Sequence, residues 1–176
     1  MRPETYEAMS RFAITTLQKF FKHVAVPRSL PGKPDHGDVD TFVGGWKCGD
    51  RDENNRYVRV IQDGLGAPRA YDRRIDDGWI YFAVPSPEYT GEGPQTYVQI
   101  DVQVCKKPKF FKWELFRLEY ASLPSMILGS LGGPLGLTLN SEGLYVRVEG
   151  LEKVNHNGSL ILLTRDPMET LVGARI

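Results

Sequence analysis

The sequence predicts a mixed α/β (α+β) domain with a short mixed or antiparallel sheet, helices packed on one face of it, and small hairpins at the C terminus. Three observations lead to this fold class. Near the N terminus, apolar residues recur every three or four positions, as in an amphipathic helix. The segments WIYFAV and YVQIDVQV, which begin at Trp79 and Tyr97, are rich in β-branched and aromatic residues and are typical of strands. After Leu137, turn residues separate short apolar runs, which indicates hairpins.

Length and composition favour one folded domain over residues 1–176. Hydrophobic residues make up 41% of the chain and charged residues 25%, which are ordinary values for a folded protein. The 22 basic residues balance the 22 acidic ones, so we do not expect a whole surface built to hold nucleic acid or anionic membrane, although a local basic patch stays open. With no secretory signal and no bilayer-length apolar run, we expect an intracellular protein of the cytoplasm or nucleus, with no membrane partner.

The first half of the chain predicts two helices and a strand ahead of the two strong strand segments. The apolar stripe predicts a helix over 6–23, which Pro27 ends. A short strand is expected over 39–43, and a second helix over 52–65. Residues 69–78 are polar and are expected to form a loop or an edge.

The second half of the chain predicts three further helices, two before the C-terminal hairpins and one after them. A helix is expected over 110–123, where Pro124 breaks it, and a short one near 125–131. Asp166 suits an N-cap and Glu169 completes a capping box, so RDPMETL starts a last helix. Because the chain ends soon after this start, a C-terminally truncated fragment and a short terminal helix both stay open.

Three carboxylates on two predicted strands are the candidate functional residues. Side chains alternate along a strand, so Asp38 and Asp40 share a face, while Asp101 lies mid-strand on the polar face of YVQIDVQV. Such a mid-strand carboxylate becomes understandable if the neighbouring strand brings Asp38 and Asp40 alongside it. Crowded carboxylates need a compensating cation, most naturally Mg²⁺, for which Mn²⁺ can substitute. This pattern indicates metal-assisted phosphoryl or nucleotidyl transfer; the alternative is a solvated turn.

The ordered set of motifs resembles the polymerase-beta-like nucleotidyltransferase superfamily. Its pattern is a Gly-Ser turn, an acidic-x-acidic pair on the first strand, and a third acid between apolar residues on a later strand. Here these correspond to Arg28-Ser29, Asp38-Val39-Asp40 and Ile100-Asp101-Val102. More narrowly, GKPDHGDVD, YVQIDVQVC, ASLPSMILGSLGGPLGLTLNSEGLYV and LTRDPMETL, in this order, are similar to uncharacterised fungal and large-virus members of that superfamily. The likeness extends from about Val26 to the end of the chain.

The resemblance implies a nucleotidyltransferase-like sheet and a role for each motif residue. Asp38 and Asp40 would hold two Mg²⁺ ions, and Asp101 would complete the shell of the second ion and activate the attacking hydroxyl. A nucleoside triphosphate such as ATP would be the donor, and pyrophosphate would leave. The residues assigned to the triphosphate are Arg28, Ser29 and Lys33. RNA, DNA, protein and small molecules all stay open as the acceptor, and so does the oligomeric state.

One departure from the superfamily pattern keeps other functions open. The position before Ser29 usually holds Gly, which lets the backbone approach phosphate closely, whereas this chain has Arg28. Arg28 could itself bind a phosphate or close the turn to triphosphate. A catalytically inactive binding or interaction module, and a metal-dependent phosphodiesterase that uses the same acids, are therefore the alternatives. The basic segment CKKPKFFKW could contact single-stranded nucleic acid, although a solvated loop and helix start is the simpler interpretation.

Overall fold

A computed structural model describes residues 1–28, 32–48, 56–72, 78–119, 132–154 and 159–173. The chain forms two compact units, residues 1–108 and 109–176. The prediction of one domain over the whole chain stays a prediction.

The first unit contains an open five-stranded mixed sheet and two helices. Its elements in chain order are α1 (Pro3–Leu17), β1 (Phe21–Ala25), β2 (Asp38–Trp46), α2 (Arg56–Leu65), β3 (Arg69–Asp72), β4 (Trp79–Pro85) and β5 (Tyr97–Val104). The strand order in the sheet is β1-β2-β5-β4-β3. Strands β2 and β5 are parallel and the other neighbours are antiparallel. The mixed α/β class with a short mixed sheet is therefore confirmed.

One face of this sheet forms the hydrophobic core with both helices. The buried apolar side chains of α1 recur every four residues, so they form one stripe: Met9, Ala13 and Leu17. The helix α2 adds a second stripe at Val58, Ile61 and Leu65, and the central strands add alternate residues such as Val39, Ile80 and Ile100. Because these alternate positions point into the core, the intervening residues of β2 and β5 lie on the opposite face.

The first helix is shorter than predicted, and a strand follows it. The prediction of a helix over 6–23 is wrong after Leu17, because Phe21–Ala25 form β1. These residues pair with β2, from Phe21 opposite Trp46 to Ala25 opposite Phe42. The three- and four-residue apolar spacing continues through this segment, but backbone pairing with β2 and burial of Phe21 override it.

The other predictions for this unit differ from the structure mainly at element ends. The predicted strand over 39–43 is longer, at Asp38–Trp46, and both strong strand segments are confirmed as β4 and β5. The predicted polar edge contains the edge strand β3, paired with β4. The start of the predicted second helix lies outside the described residues, and the helix is described from Arg56.

In its described part, the second unit has a small antiparallel sheet and two α-helices. The described elements are α3 (Phe111–Glu119), β6 (Leu137–Asn140), β7 (Gly143–Arg147), β8 (Leu160–Thr164) and α4 (Pro167–Gly173). Strands β6, β7 and β8 form an antiparallel sheet in that order, as the predicted C-terminal hairpins require. Asp166 caps α4, since its Oδ1 accepts the N–H of Met168 at 2.7 Å. The helix predicted near 125–131 lies outside the described residues.

The structure also bears on the expectation about membranes. Within the described ranges, none of the helices combines the length and the apolar character that a bilayer span requires.

Candidate functional site

The candidate site is a group of carboxylates on the sheet face opposite the helices, defined here as the acidic site: Asp38, Asp40 and Asp101. Asp40 and Asp101 are direct partners on the parallel strands β2 and β5, and Asp38 is opposite Gln99. Direct partners in a sheet point to the same face, from backbones about 5 Å apart. The sequence prediction that the neighbouring strand brings Asp38 and Asp40 alongside Asp101 is therefore confirmed in position.

Two hydrogen bonds fix Asp101 in place. The hydroxyl of Thr41, on the core face of β2, donates to the backbone carbonyl of Asp101 at 2.7 Å. The side-chain amide of Gln99, two residues earlier on the same face of β5, donates to Asp101 Oδ1 at 2.7 Å. This hydrogen bond occupies Oδ1, so the other carboxylate oxygen of Asp101 can still bind a cation or accept a hydrogen bond.

Burial and the neighbouring negative charges raise the pKa of the Asp101 carboxyl. The residue is only 5% exposed. Burial raises the pKa of its carboxyl to about 6, and the negative charges of Asp38 and Asp40 also raise it, while the hydrogen bond from Gln99 opposes them. At neutral pH a carboxyl with this pKa is mostly ionised although burial and the neighbouring charges disfavour its charge, so a cation beside it would be favoured.

The pKa of the more exposed Asp40 is also raised. Partial burial of its carboxyl raises this pKa, and the negative charge of Asp38 raises it further. The ammonium of Lys33 lowers the pKa of Asp40, so Lys33 lies within electrostatic reach of the acidic site. This exposed lysine is one of the predicted triphosphate contacts, and its charge has the sign that such a role needs.

Tyr6 and His36 border the acidic site, and the sequence alone did not indicate Tyr6. Their rings are stacked, with centroids 3.7 Å apart and planes inclined by 12°. His36 is buried, and its backbone N–H donates to the carbonyl of Met1 at 2.9 Å. Burial raises the pKa of the Tyr6 phenol, a hydrogen bond with Ser10 lowers it, and the charges of Asp40 and Asp38 raise it. The Tyr6 hydroxyl therefore stays protonated at neutral pH.

An open groove of about 510 Å³ starts at Tyr6. Its other lining residues are Glu7, Ser10, Arg11, Val26, Pro27 and Arg28. Arg28, the residue that departs from the superfamily pattern, thus lines the same groove as Arg11. The volume lies in the range of small-ligand sites, and the two guanidinium groups suit an anionic ligand.

The donor chemistry of the acidic site suits a hard divalent cation, but its side chains are not converged around one. Carboxylate oxygens are the ligands that Mg²⁺ and Mn²⁺ prefer. Among the described residues, no group of three or more His, Cys, Asp or Glu side chains is close enough together to hold a metal ion. Mutual repulsion favours such spreading of ionised carboxylates when nothing neutralises them. Backbone pairing of the parallel strands β2 and β5 places Asp40 directly opposite Asp101.

The predicted site residues fall into three groups. The structure places Asp38, Asp40 and Asp101 on one face of two adjacent strands without converging the three side chains, and Lys33 is in electrostatic reach. It places Arg28 in the groove that begins at Tyr6. Ser29 lies outside the described residues. Alternation along β5 could have indicated Gln99 as the partner of Asp101, whereas Tyr6 and Arg11 reach the site through tertiary packing of α1, for which the sequence carries no local signal.

Comparison with known proteins assigns the chain to no family. No protein-family model matches the chain, and no curated protein matches it. The functional interpretation rests on the acidic site and on the residues around it.

Proposed function

We propose that this chain is a metal-dependent nucleotidyltransferase that moves a nucleoside monophosphate from a nucleoside triphosphate to a hydroxyl acceptor and releases pyrophosphate. The single observation that carries the proposal is the direct pairing of Asp40 with Asp101 on adjacent parallel strands. Asp38 lies two residues before Asp40 on the same face. The raised pKa of Asp101 shows that this arrangement has an electrostatic cost, and sites with such costs are often functional.

Asp38, Asp40 and Asp101 are the residues that would hold the metal. The set offers only oxygen ligands, which favours Mg²⁺ or Mn²⁺ over softer metals. A bound divalent cation would neutralise charge on the triphosphate and lower the pKa of the acceptor hydroxyl. Because the described acidic side chains do not form a group of three that could hold a metal ion, the proposal includes a change of side-chain rotamers on binding.

Cationic side chains near the acidic site would orient the triphosphate. Lys33 acts electrostatically on Asp40, and Arg28 and Arg11 line the adjacent groove. An arginine in place of the usual glycine before Ser29 would contribute a bidentate side-chain contact where the superfamily uses backbone amides. Tyr6 also lines this groove, and the charges of Asp40 and Asp38 act on its phenol.

The transfer step would be an in-line displacement at the α-phosphorus. The acceptor oxygen forms a bond to this phosphorus while the bond to the bridging oxygen of the β-phosphate breaks, and pyrophosphate leaves with that electron pair. The proton of the acceptor hydroxyl passes to the carboxylate of Asp101, held by Gln99, and then to water.

The test is transfer of a labelled nucleotide. Purified protein is incubated with Mg²⁺ or Mn²⁺, each α-labelled triphosphate, and RNA, DNA, protein and small-molecule acceptors. We expect a labelled acceptor and an equal amount of pyrophosphate, and loss of both in Asp40→Asn. The matched control is Asp63→Asn, because Asp63 is an exposed carboxylate on α2 outside the acidic site. Equal turnover of Asp40→Asn and wild type would contradict the proposal.

The same assay separates the two alternatives. A phosphodiesterase would transfer phosphorus to water, so it would give a hydrolysed product and no labelled acceptor. An inactive binding module would give no turnover, and calorimetry would then decide whether any triphosphate binds at millimolar concentration. The absence of nucleotide binding would favour the binding module.

A further inference from the structure

We propose that the sheet face beside the acidic site binds the acceptor, and that this acceptor is a single strand of nucleic acid stacked on tyrosine rings. This inference rests on the proposed function, since it assigns the acceptor of the same site. The surface is defined as the tyrosine groove: Arg69, Tyr71, Tyr81, Ala83, Tyr97 and Gln99. The groove has a volume of about 430 Å³, and Ala70 and Phe82 also line it.

Strand register places this groove in line with the carboxylates. Tyr71 is opposite Tyr81, Tyr81 is opposite Asp101, and Asp101 is opposite Asp40. One row across four neighbouring strands therefore reads Tyr71, Tyr81, Asp101, Asp40, with all side chains on one face. The next row reads Arg69, Ala83, Gln99, Asp38. The two tyrosines and the two acids thus form one continuous surface.

The rings of the groove are exposed where a folded protein would gain by burying them. Tyr71 is 66% exposed and Tyr97 is 50% exposed. The rings of Tyr71 and Tyr81 lie 6.2 Å apart, and Trp79 stacks on Tyr81 with its plane inclined by only 12°. Trp79 supports Tyr81 from the neighbouring position on the same strand face, so Tyr81 is held while the outer tyrosines stay accessible.

The chemistry of the groove fits nucleobases better than an apolar partner. Exposed aromatic rings on a sheet are the platform on which single-stranded bases stack, whatever their sequence. Ala83, the small residue beside them, leaves room for a flat ring. Among the described residues that line the groove, Arg69 is the charged one, and its positive charge suits phosphate. Gln99 provides hydrogen-bonding groups for base edges or a 2′-hydroxyl.

The span of the row also suits a strand that ends at the acidic site. Neighbouring strands are about 5 Å apart, so Tyr71 lies roughly 10 Å from Asp101 along the row. Stacked nucleotides advance by about 3.4 Å each, so this length holds about three of them. The terminal hydroxyl would then lie beside Asp101 while the preceding bases contact Tyr81 and Tyr71.

Fluorescence anisotropy with labelled single-stranded hexamers tests the inference directly. RNA and DNA hexamers are titrated separately with the full chain in EDTA, so that neither metal nor triphosphate is needed. We expect binding of at least one hexamer, weakened about ten- to a hundred-fold by Tyr71→Ala and by Tyr97→Ala. Tyr71→Phe and Tyr97→Phe keep the ring and should stay within about two-fold of wild type. Circular dichroism of each variant verifies the fold, which these exposed positions should preserve.

Two results would overturn the inference: no binding of either hexamer, or equal binding by the alanine variants and wild type. Asp40→Asn should bind the hexamers at least as well as wild type, because it removes a negative charge next to the groove. If the hexamers bind through the tyrosines but no nucleotide is transferred, the groove stands and the proposed function fails. If transfer occurs to another acceptor and hexamer binding ignores the tyrosines, the function stands and the groove assignment fails.

Discussion

Replacing Asp101 by asparagine should stabilise the metal-free protein at alkaline pH. The folded protein holds this carboxyl at a pKa of about 6, against an ordinary value of 3.8. Each tenfold change in proton affinity is worth about 1.4 kcal/mol, so ionising Asp101 costs the folded state roughly 3 kcal/mol. Asparagine has nearly the same shape, carries no charge, and keeps an Oδ1 that can accept the amide of Gln99.

The sign of the pH dependence follows from the direction of this shift. A carboxyl whose pKa is raised by folding favours the folded state at low pH, and that advantage is lost as pH rises through the folded value. The stabilisation by Asp101→Asn should therefore be about 3 kcal/mol at pH 8 and fall below about 1 kcal/mol at pH 4. Most of the change should occur between about pH 4 and pH 6.

Urea unfolding in EDTA at a series of pH values measures this difference, with circular dichroism and tryptophan fluorescence as independent probes. The control is Glu92→Gln in the exposed β4–β5 loop, which removes one negative charge without touching the acidic site. Its stability relative to wild type should change little with pH. The reasoning would be refuted if Asp101→Asn lowered the free energy of unfolding at pH 8, or altered it equally at pH 4 and pH 8.

Three further outcomes are expected. Millimolar Mn²⁺ should raise the thermal midpoint of wild type but not of Asp40→Asn, measured by scanning calorimetry, because only the intact site gains from neutralisation. Thr41→Val should lower the free energy of unfolding by about 1 kcal/mol in urea titrations, since it removes the hydrogen bond to the Asp101 carbonyl. Gly64→Ala should cost about 1–3 kcal/mol in the same assay, because its Cβ would lie 2.7 Å from the Phe20 ring; an unchanged midpoint in any of the three would contradict its stated cause.

Local patterns predicted the strands that carry the acidic site because those strands alternate between a core face and a polar face. The apolar set of YVQIDVQV reserves the core side for Val98, Ile100 and Val102, so Asp101 has to face the other way. The pairing of this strand with β2 was predicted from the cost of an isolated carboxylate rather than from propensity.

Features fixed by tertiary contacts were not accessible from the sequence. The apolar spacing around Phe21 fits a helix as well as a strand, and only pairing with β2 decides between them. The tyrosine groove depends on β3 being the edge strand next to β4, whereas the sequence indicated only a polar loop or edge. The stacking of Tyr6 on His36, which precedes β2, is a tertiary contact that the periodicity of α1 cannot specify.

The most direct test of the central claim is a crystal structure of the protein soaked with Mn²⁺, with the ion located by its anomalous scattering. We expect a Mn²⁺ ion between β2 and β5, bound by carboxylate oxygens of Asp40 and Asp101, and no ion there in Asp40→Asn. If carboxylate oxygens of Asp40 and Asp101 bind no ion in crystals that hold Mn²⁺ elsewhere, the acidic site is not a metal centre and the proposed transfer chemistry is wrong.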